Sequence, residues 1–228
     1  MTYEVQLATA VIPAPAKAAD VYERVKALIM DSGLAPGAKI NIDAVARDLE
    51  VSHTPLREAL ARLEADGLAV KHARRGYAAA PLLSRAELDE LYDLRLLLEP
   101  YAAARAAERI TDVGVERLEA ELATCDQAPE EQGYQAYGVL AAHDRRLHDL
   151  VLELAGNETV RTCFNRTHAH LHLYRLYYGG RTGNEAIAEH RALVDAVTSG
   201  EPREAAERMR EHLERSRDRL HRIFDSRP

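Results

Sequence analysis

One carboxylate and three imidazoles in the second half of the chain have the spacing of ligands for a divalent metal ion. Asp144 and His148 are four residues apart, so they project from the same face of a predicted helix. His190 and His212 each lie on a later predicted helix. If the three helices meet, these side chains can hold Zn²⁺, Ni²⁺ or Mn²⁺ with coordination positions left open. From spacing alone, three separate histidines are more often surface or core residues, so that interpretation stands beside the metal site at this point.

A short predicted helix in the first third of the chain has one apolar face for packing and an exposed first turn. Its apolar residues recur at i, i+3, i+4 and i+7, as Leu56, Ala59, Leu60 and Leu63. Ser52 or Thr54 can cap the start, and Pro55 stands in the first turn, where a backbone N–H is not needed. His53, Thr54 and Arg57 lie on another face, close enough to the N-terminus to reach base edges. This is the construction of a DNA recognition helix.

A basic loop between two short strands follows this recognition helix. Residues 68–70 and 77–79 are the predicted strands, and the loop between them ends at Gly76. Its cations are Lys71, Arg74 and Arg75. Such a loop suits phosphates or the minor groove as a wing, and a solvated basic hairpin is the alternative. Upstream, residues 21–29 and 42–49 predict two further amphipathic helices.

Residues 17–80 resemble the winged helix-turn-helix of the GntR family of bacterial transcription regulators. The matching segments are Gly33–Gly37, Val45–Val51, the recognition helix and Arg74–Gly76. The resemblance implies a DNA-binding surface made of Ser52, His53, Thr54, Arg57, Arg74, Arg75 and Gly76. The family usually has Arg where this chain has His53, so the base contact at that position is left open.

The charge of the chain is unevenly distributed. The 228 residues contain 30 Lys or Arg and 37 Asp or Glu, for a net charge of −7. The first 80 residues are balanced, with ten of each sign, so the whole excess of acid lies in residues 81–228. A neutral, locally basic part joined to an acidic one fits a single DNA-facing module. It argues against unspecific binding of nucleic acid over the whole surface.

Cysteine content and hydropathy favour the cytoplasm. Cys125 and Cys163 are too few, and too irregularly placed, for a disulfide framework. The first sixteen residues lack a basic n-region and are therefore expected to be a loose arm rather than a signal peptide. No run approaches the ~18 apolar residues of a membrane span, so no membrane partner is expected.

The remainder of the chain predicts helices and no strand. Ser84 and Glu87 have the spacing of a capping box, and Pro100 should bend or break the helix that they open. Further helices are predicted at residues 112–124, 132–155, 157–178, 184–199 and 202–225. The fold class is therefore mainly α, with an N-terminal winged helix-turn-helix and a C-terminal antiparallel helical bundle. The predicted divisions are a flexible arm at 1–16, a DNA-binding domain at 17–80, a linker at 81–85 and an effector-binding and dimerisation domain at 86–225.

Residues 86–222 resemble the FCD-type ligand-binding domain of the FadR subfamily of GntR regulators. The matching pieces are Leu91–Arg95 with Glu99, Asp144 and His148 followed by Gly156–Asn157, Glu189–His190, and Met209 with His212–Leu213. In the metal-dependent branch, the Asp and the three His of these motifs hold a divalent metal. The resemblance thus implies a metal at Asp144, His148, His190 and His212. The acyl-CoA-sensing branch lacks this set, so fatty acyl-CoA is not the expected effector.

A carboxylate from a small metabolite can complete such a coordination shell. Arg95 matches the family's Arg and is the candidate anchor, since a guanidinium binds a carboxylate through two hydrogen bonds. The alternative is an Arg95–Glu99 pair, i and i+4 on one helix, which holds no ligand. His168, His172 and Arg175 share a helical face and are further candidates for the effector pocket. A polar stripe over a partner helix is the other interpretation of these three residues.

Together these features predict a homodimeric DNA-binding transcription regulator, a repressor, that is not an enzyme. Its recognition helices would enter successive major grooves of a palindromic double-stranded operator, with Arg57 on a guanine edge or a phosphate. A small carboxylate at the divalent metal would control operator affinity. One alternative makes the metal itself the signal. The other is a metalloenzyme in which the Asp and three His activate water.

Overall fold

The computed structural model describes residues 18–30, 33–127, 134–177 and 183–225. The arm expected at residues 1–16 lies outside the described residues. In chain order the elements are α1 (Ala18–Met30), α2 (Ile42–Asp48), α3 (His53–Ala65), β1 (Ala69–His72), β2 (Gly76–Ala79), α4 (Arg85–Glu108), α5 (Asp112–Leu122), α6 (Tyr134–Leu154), α7 (Glu158–Asn165), α8 (Ala169–Tyr177), α9 (Gly183–Thr198) and α10 (Pro202–Asp225). The mainly α class is confirmed.

The N-terminal part is a winged helix, with α3 packed on α1 and α2. The predicted stripe of α3 is fully buried, as Leu56, Ala59, Leu60 and Leu63. Ser52 is the N-cap residue by position, although its side chain makes no capping hydrogen bond. Antiparallel pairing runs from Ala69 opposite Ala79 to His72 opposite Gly76. The turn of the wing is therefore shorter than predicted, because Lys71 belongs to β1.

The C-terminal part is a helical bundle in which α4 packs against α6, α9 and α10. The predicted capping box opens α4, with the Ser84 hydroxyl accepting from Glu87 N and the Glu87 carboxylate accepting from Ser84 N. A break at Pro100 does not occur, because α4 continues to Glu108. Proline inside a helix costs about 3 kcal/mol. Burial of α4 on both sides of it, at Tyr92 and Ala103, outweighs that cost.

The single helix predicted at 157–178 is wrong, because the structure has two helices, α7 and α8, with a turn between them. His168 in this turn adopts a left-handed backbone, with φ of 48°. The Thr167 hydroxyl donates to the Phe164 carbonyl and accepts from Ala169 N. Side-chain bonds of this kind compete with the helical ladder and allow the chain to change direction.

Helix α8 connects the bundle to the winged helix. Tyr174 is buried in the core of the winged helix, and Leu171 packs against that core. Arg175, also buried, donates to the carbonyls of Ala80 and Pro81 in the connection that follows β2. In the part of the chain that the structure describes, no helix is long and apolar enough to cross a membrane.

Candidate metal centre and nucleic-acid interface

The four predicted ligands meet between three helices of the bundle. Helix α6 supplies Asp144 and His148, α9 supplies His190 and α10 supplies His212. One ligand atom from each of the four side chains lies within 4.8 Å of those from the others. Asp144 Oδ1 is 3.4 Å from His190 Nε2 and 3.7 Å from His148 Nε2. We call these four residues the metal centre.

Each imidazole of the metal centre has its Nδ1 held by a partner outside the centre. His148 Nδ1 hydrogen-bonds to the Glu99 carboxylate of α4. His212 Nδ1 lies 2.9 Å from Glu189 Oε2. Carboxylates only accept, so each of these Nδ1 atoms carries its proton and leaves Nε2 with a free lone pair.

His190 is held through a second imidazole. Its Nδ1 is 3.1 Å from His143 Nε2, and His143 Nδ1 is 3.0 Å from Glu121 Oε1. Since Glu121 can only accept, His143 donates through Nδ1 and accepts from His190 through Nε2. The Nε2 atom of His190 therefore has the same free lone pair as the other two ligands.

This arrangement fits a divalent ion. The Nε2 atoms of His148 and His190 are buried and have no hydrogen-bond partner among the described residues. A buried polar atom left in this way is costly, and a metal ion would remove that cost. Metal-binding histidines generally donate their second ring nitrogen to a carboxylate or similar group, as these do.

Each of the three carboxylates that hold these histidines accepts a hydrogen bond from an arginine. Arg95 Nε donates to Glu99 over 2.6 Å, and Arg146 Nε donates to Glu121 over 2.8 Å. The two Nη atoms of Arg219 bind Glu189 at 2.7 and 2.8 Å. Burial raises the pKa of Glu189, but hydrogen bonds from His212 and Arg219 outweigh it and leave that pKa at about 2.

The charge states suit coordination at neutral pH. Burial lowers the pKa of His148, and burial together with the neighbouring imidazoles lowers the pKa of His212 to about 3. Burial would raise the pKa of Asp144, but the surrounding imidazoles of His148, His170 and His190 hold that pKa well below its usual range. A metal ion binds imidazole in its neutral form and carboxylate in its ionised form, so the four bound ligands would carry a charge of −1 and a divalent ion would leave a net +1.

A small cavity of about 60 Å³ adjoins the metal centre. Its polar lining includes Arg95, Asp144, His170, Tyr174, His212 and Arg219. The carboxylate anchor proposed from the sequence, Arg95, therefore borders the cavity and is also paired with Glu99. Arg219 lines the same cavity and was not singled out from the sequence.

The other effector candidates lie elsewhere, so the expectation that they shape this pocket lacks support. His168 borders a groove that also contains Tyr22 of α1. His172 packs against Gly67, just after α3, where a Cβ would come within 2.9 Å of His172 Nε2. Arg175 bonds the connection after β2. Because the chain turns at His168, this helical face meets the winged helix, and His170 instead faces the cavity.

The predicted DNA-contacting side chains are exposed on one end of the winged helix. Ser52, His53, Thr54 and Arg57 are exposed at the start of α3, and Arg74, Arg75 and Gly76 are exposed in the wing. His53 Nε2 lies 3.2 Å from Asp43 Oδ1 of α2. No ion pair within the described residues engages Arg57. Its guanidinium is thus available to a phosphate or a base edge.

Two protein-family models match most of the chain. Residues 17–78 match the sequence model of the family described as bacterial regulatory proteins, gntR family. Residues 90–215 match that of the FCD domain. The chain is 23% identical over 206 residues to the uncharacterized HTH-type transcriptional regulator YdhC of Bacillus subtilis, covering 90% of this chain and 91% of that protein.

A second relative and a solved structure agree with these matches. The chain is 36% identical over 135 residues to the Nta operon transcriptional regulator of Aminobacter aminovorans, covering 58% of this chain and 62% of that protein. The solved structure of E. coli McbR/YncC has a TM-score of 0.70 at 20% identity, covering 92% of this chain and 100% of that chain. That likeness shows a shared fold.

Proposed function

Because the chain belongs to the GntR family of bacterial transcription regulators, in its FadR subfamily with an FCD domain, we propose that it is a ligand-controlled repressor. Its relatives are transcription regulators rather than enzymes. In this proposal residues 17–80 bind DNA, 81–85 form the linker, and 86–225 bind the effector and dimerise. It acts in the cytoplasm, as a homodimer on a palindromic operator.

The DNA-binding role rests on α3 and the wing. The exposed first turn of α3 enters the major groove, where Arg57 binds a guanine edge or a phosphate, with Thr54 beside it. Arg74 and Arg75 in the wing bind backbone phosphates or the minor groove. Two copies related by a two-fold axis match the two halves of a palindrome.

The regulatory role rests on the metal centre. The single observation that supports it most is the convergence of Asp144 with three imidazoles, each of which is hydrogen-bonded through Nδ1 to a partner outside the centre. Zn²⁺, Ni²⁺ or Mn²⁺ fits this donor set, and when bound it supplies a Lewis-acidic position for an anionic ligand. The net +1 of the loaded centre favours a carboxylate. The adjoining cavity of about 60 Å³ has room for a small ligand.

Helix α8 is the proposed route from the effector to the DNA-binding part. His170 at its start contacts Asp144 of the metal centre. One turn later, Tyr174 lies in the core of the winged helix, and Arg175 holds the connection after β2. A ligand that moves α8 would therefore change the position of α3 relative to the bundle. In a dimer this alters the spacing of the two recognition helices.

The test begins with selection of random duplex DNA by the purified protein at near-physiological salt. We expect enrichment of an inverted repeat, and then a fall in affinity for that repeat when small carboxylates are added to zinc-loaded protein. The same acids should have no effect after chelation of the metal. No enrichment by either loaded or metal-free protein would contradict the assigned DNA-binding role.

A second candidate makes the metal itself the signal. It is favoured by one observation, namely that Arg95 and Arg219 are already paired with Glu99 and Glu189. Titration of operator affinity with metal alone distinguishes the two. A full response without any metabolite would support the second candidate over the first.

A further inference from the structure

His53 and Asp43 form a close polar pair on the face of the winged helix that carries the predicted DNA contacts. His53 is the first residue of α3, and its Nε2 lies 3.2 Å from Oδ1 of Asp43 in the first turn of α2. Both side chains are open to solvent, with 53% of His53 and 84% of Asp43 exposed. Asp43 makes no other ion pair within the described residues. Most of the acceptor capacity of its carboxylate is therefore available beside the recognition helix.

A carboxylate at this place works against the general attraction of a protein surface for DNA. The other charged side chains predicted at the interface are the cations Arg57, Arg74 and Arg75, which suit phosphates. An acidic side chain in the first turn of a helix favours that helix only slightly, and this benefit does not require a contact with His53. Near base edges, however, a carboxylate has a use of its own, because it accepts a hydrogen bond from the amino group of cytosine.

The pair presents acceptors to DNA in the place where an arginine would present donors. A carboxylate can only accept, so Nε2 of His53 donates to Asp43 and is not available to a base, whether the ring is neutral or protonated. In the major groove guanine shows two acceptors, N7 and O6, which suit an arginine and repel a carboxylate. Cytosine and adenine each show an amino group there, N4 or N6, from which Asp43 can accept.

We propose that Asp43, held by His53, is a specificity-determining residue that selects cytosine or adenine at one position of each operator half-site. This inference rests on the proposed function, in which the first turn of α3 enters the major groove. His53 and Arg57 are four residues apart and lie on the same side of α3. Each half-site therefore meets two neighbouring groups of opposite character, a donor at Arg57 and an acceptor at Asp43.

The experiment compares the duplexes that the purified full chain and its Asp43→Ala variant select from random DNA at near-physiological salt. We expect both proteins to enrich an inverted repeat. In the repeat of the unchanged protein, one position of each half should be cytosine or adenine, and Asp43→Ala should leave that position unspecified.

Affinities for the selected repeat give the size of the effect. Fluorescence anisotropy with each of the four bases at this position should show at least about a fivefold preference over guanine in the unchanged protein. In Asp43→Ala the preference should fall below about threefold, while the remaining positions of the repeat keep theirs.

Two further variants sharpen the result. Asp48→Ala is the matched control, because Asp48 is an exposed carboxylate at the other end of α2, and it should leave the selected repeat unchanged. Asp43→Ala combined with His53→Arg should move the preference at the same position to guanine, since a guanidinium without a carboxylate partner donates to N7 and O6. This gain of a new preference would also show that the changed chain still folds.

A carboxylate that acts only through its charge gives a different result. Asp43→Ala would then bind every duplex more tightly by the same factor, with no position changed, and that outcome would overturn the inference. A preference for guanine at the position that depends on Asp43 would overturn it as well. Both outcomes leave the DNA-binding role intact. If neither the unchanged protein nor Asp48→Ala enriches any repeat, the DNA-binding role is wrong, and the inference falls with it.

Discussion

The recognition helix and the metal centre carry function in opposite ways. In α3 the functional side chains are exposed, and they come from a few consecutive residues held by one buried stripe. In the bundle they are buried, and they come from three helices up to 68 residues apart, between Asp144 and His212. The first is a local surface, while the second exists only when the tertiary structure is complete.

This difference sets how each region should respond to substitution. An exposed residue of α3 makes few contacts within the protein, so the effect of changing it should be confined largely to its own DNA contact. A residue of the metal centre belongs to a hydrogen-bonded network, so a change should spread to every ligand that shares the ion. Substitutions in each region test this contrast.

The largest effect is expected from removing one ligand. His190→Ala should weaken zinc affinity by more than about a hundredfold, since loss of an outer partner alone typically costs 10–100-fold. Chelator competition with the purified protein measures this. DNA selection should still enrich the same repeat, because His190 is not one of the DNA-contacting residues. Unchanged zinc affinity would exclude His190 as a ligand.

The next largest effect is expected from a residue that hydrogen-bonds to a ligand of the metal without being a ligand itself. Glu189→Gln removes the carboxylate that holds His212 Nδ1 and should weaken zinc affinity about 10–100-fold. Glu185→Gln is the matched control, because this more exposed residue lies on the same helix and 3.8 Å from the same Arg219. Equal effects of the two substitutions would show that general charge, and not support of His212, determines affinity.

Much of both regions could be predicted from the sequence. The stripe of α3 and the capping box of α4 are local patterns, and each appears in the structure where its spacing places it. For the metal centre, spacing alone favoured ordinary surface or core histidines. Only the resemblance to the FCD family singled out the four residues that converge.

The outer partners of the metal centre could not be predicted in the same way. His143 meets His190 across 47 residues, and Glu121 meets His143 across 22, so no helical spacing signals either contact. The position of His170 was missed for another reason. The side of α8 on which His170 lies depends on the left-handed backbone at His168. A histidine at that position gives little indication, in the sequence, that the backbone is left-handed there.

Operator affinity should be more moderately sensitive to single residues of α3. Arg57→Ala is expected to cost about 1–3 kcal/mol in binding to the selected repeat, measured by fluorescence anisotropy at fixed salt. Arg105→Ala, at a half-buried arginine of α4 that forms an ion pair with Glu108, is the control with the same change of charge. A loss of less than a few tenths of a kcal/mol from Arg57→Ala would remove this residue from the DNA contact.

The smallest effect is expected where the two regions are joined. Arg175→Met keeps the buried stem but removes both hydrogen bonds to Ala80 and Pro81. Carboxylate affinity and operator affinity should each stay nearly unchanged when measured alone. Their coupling should shrink by about 0.5–2 kcal/mol, because α8 no longer holds the connection to the winged helix. Arg166→Met, at the exposed end of α7, should leave the coupling intact. If Arg175→Met retains the full coupling, the signal does not pass through this contact, and the packing of Tyr174 becomes the remaining candidate.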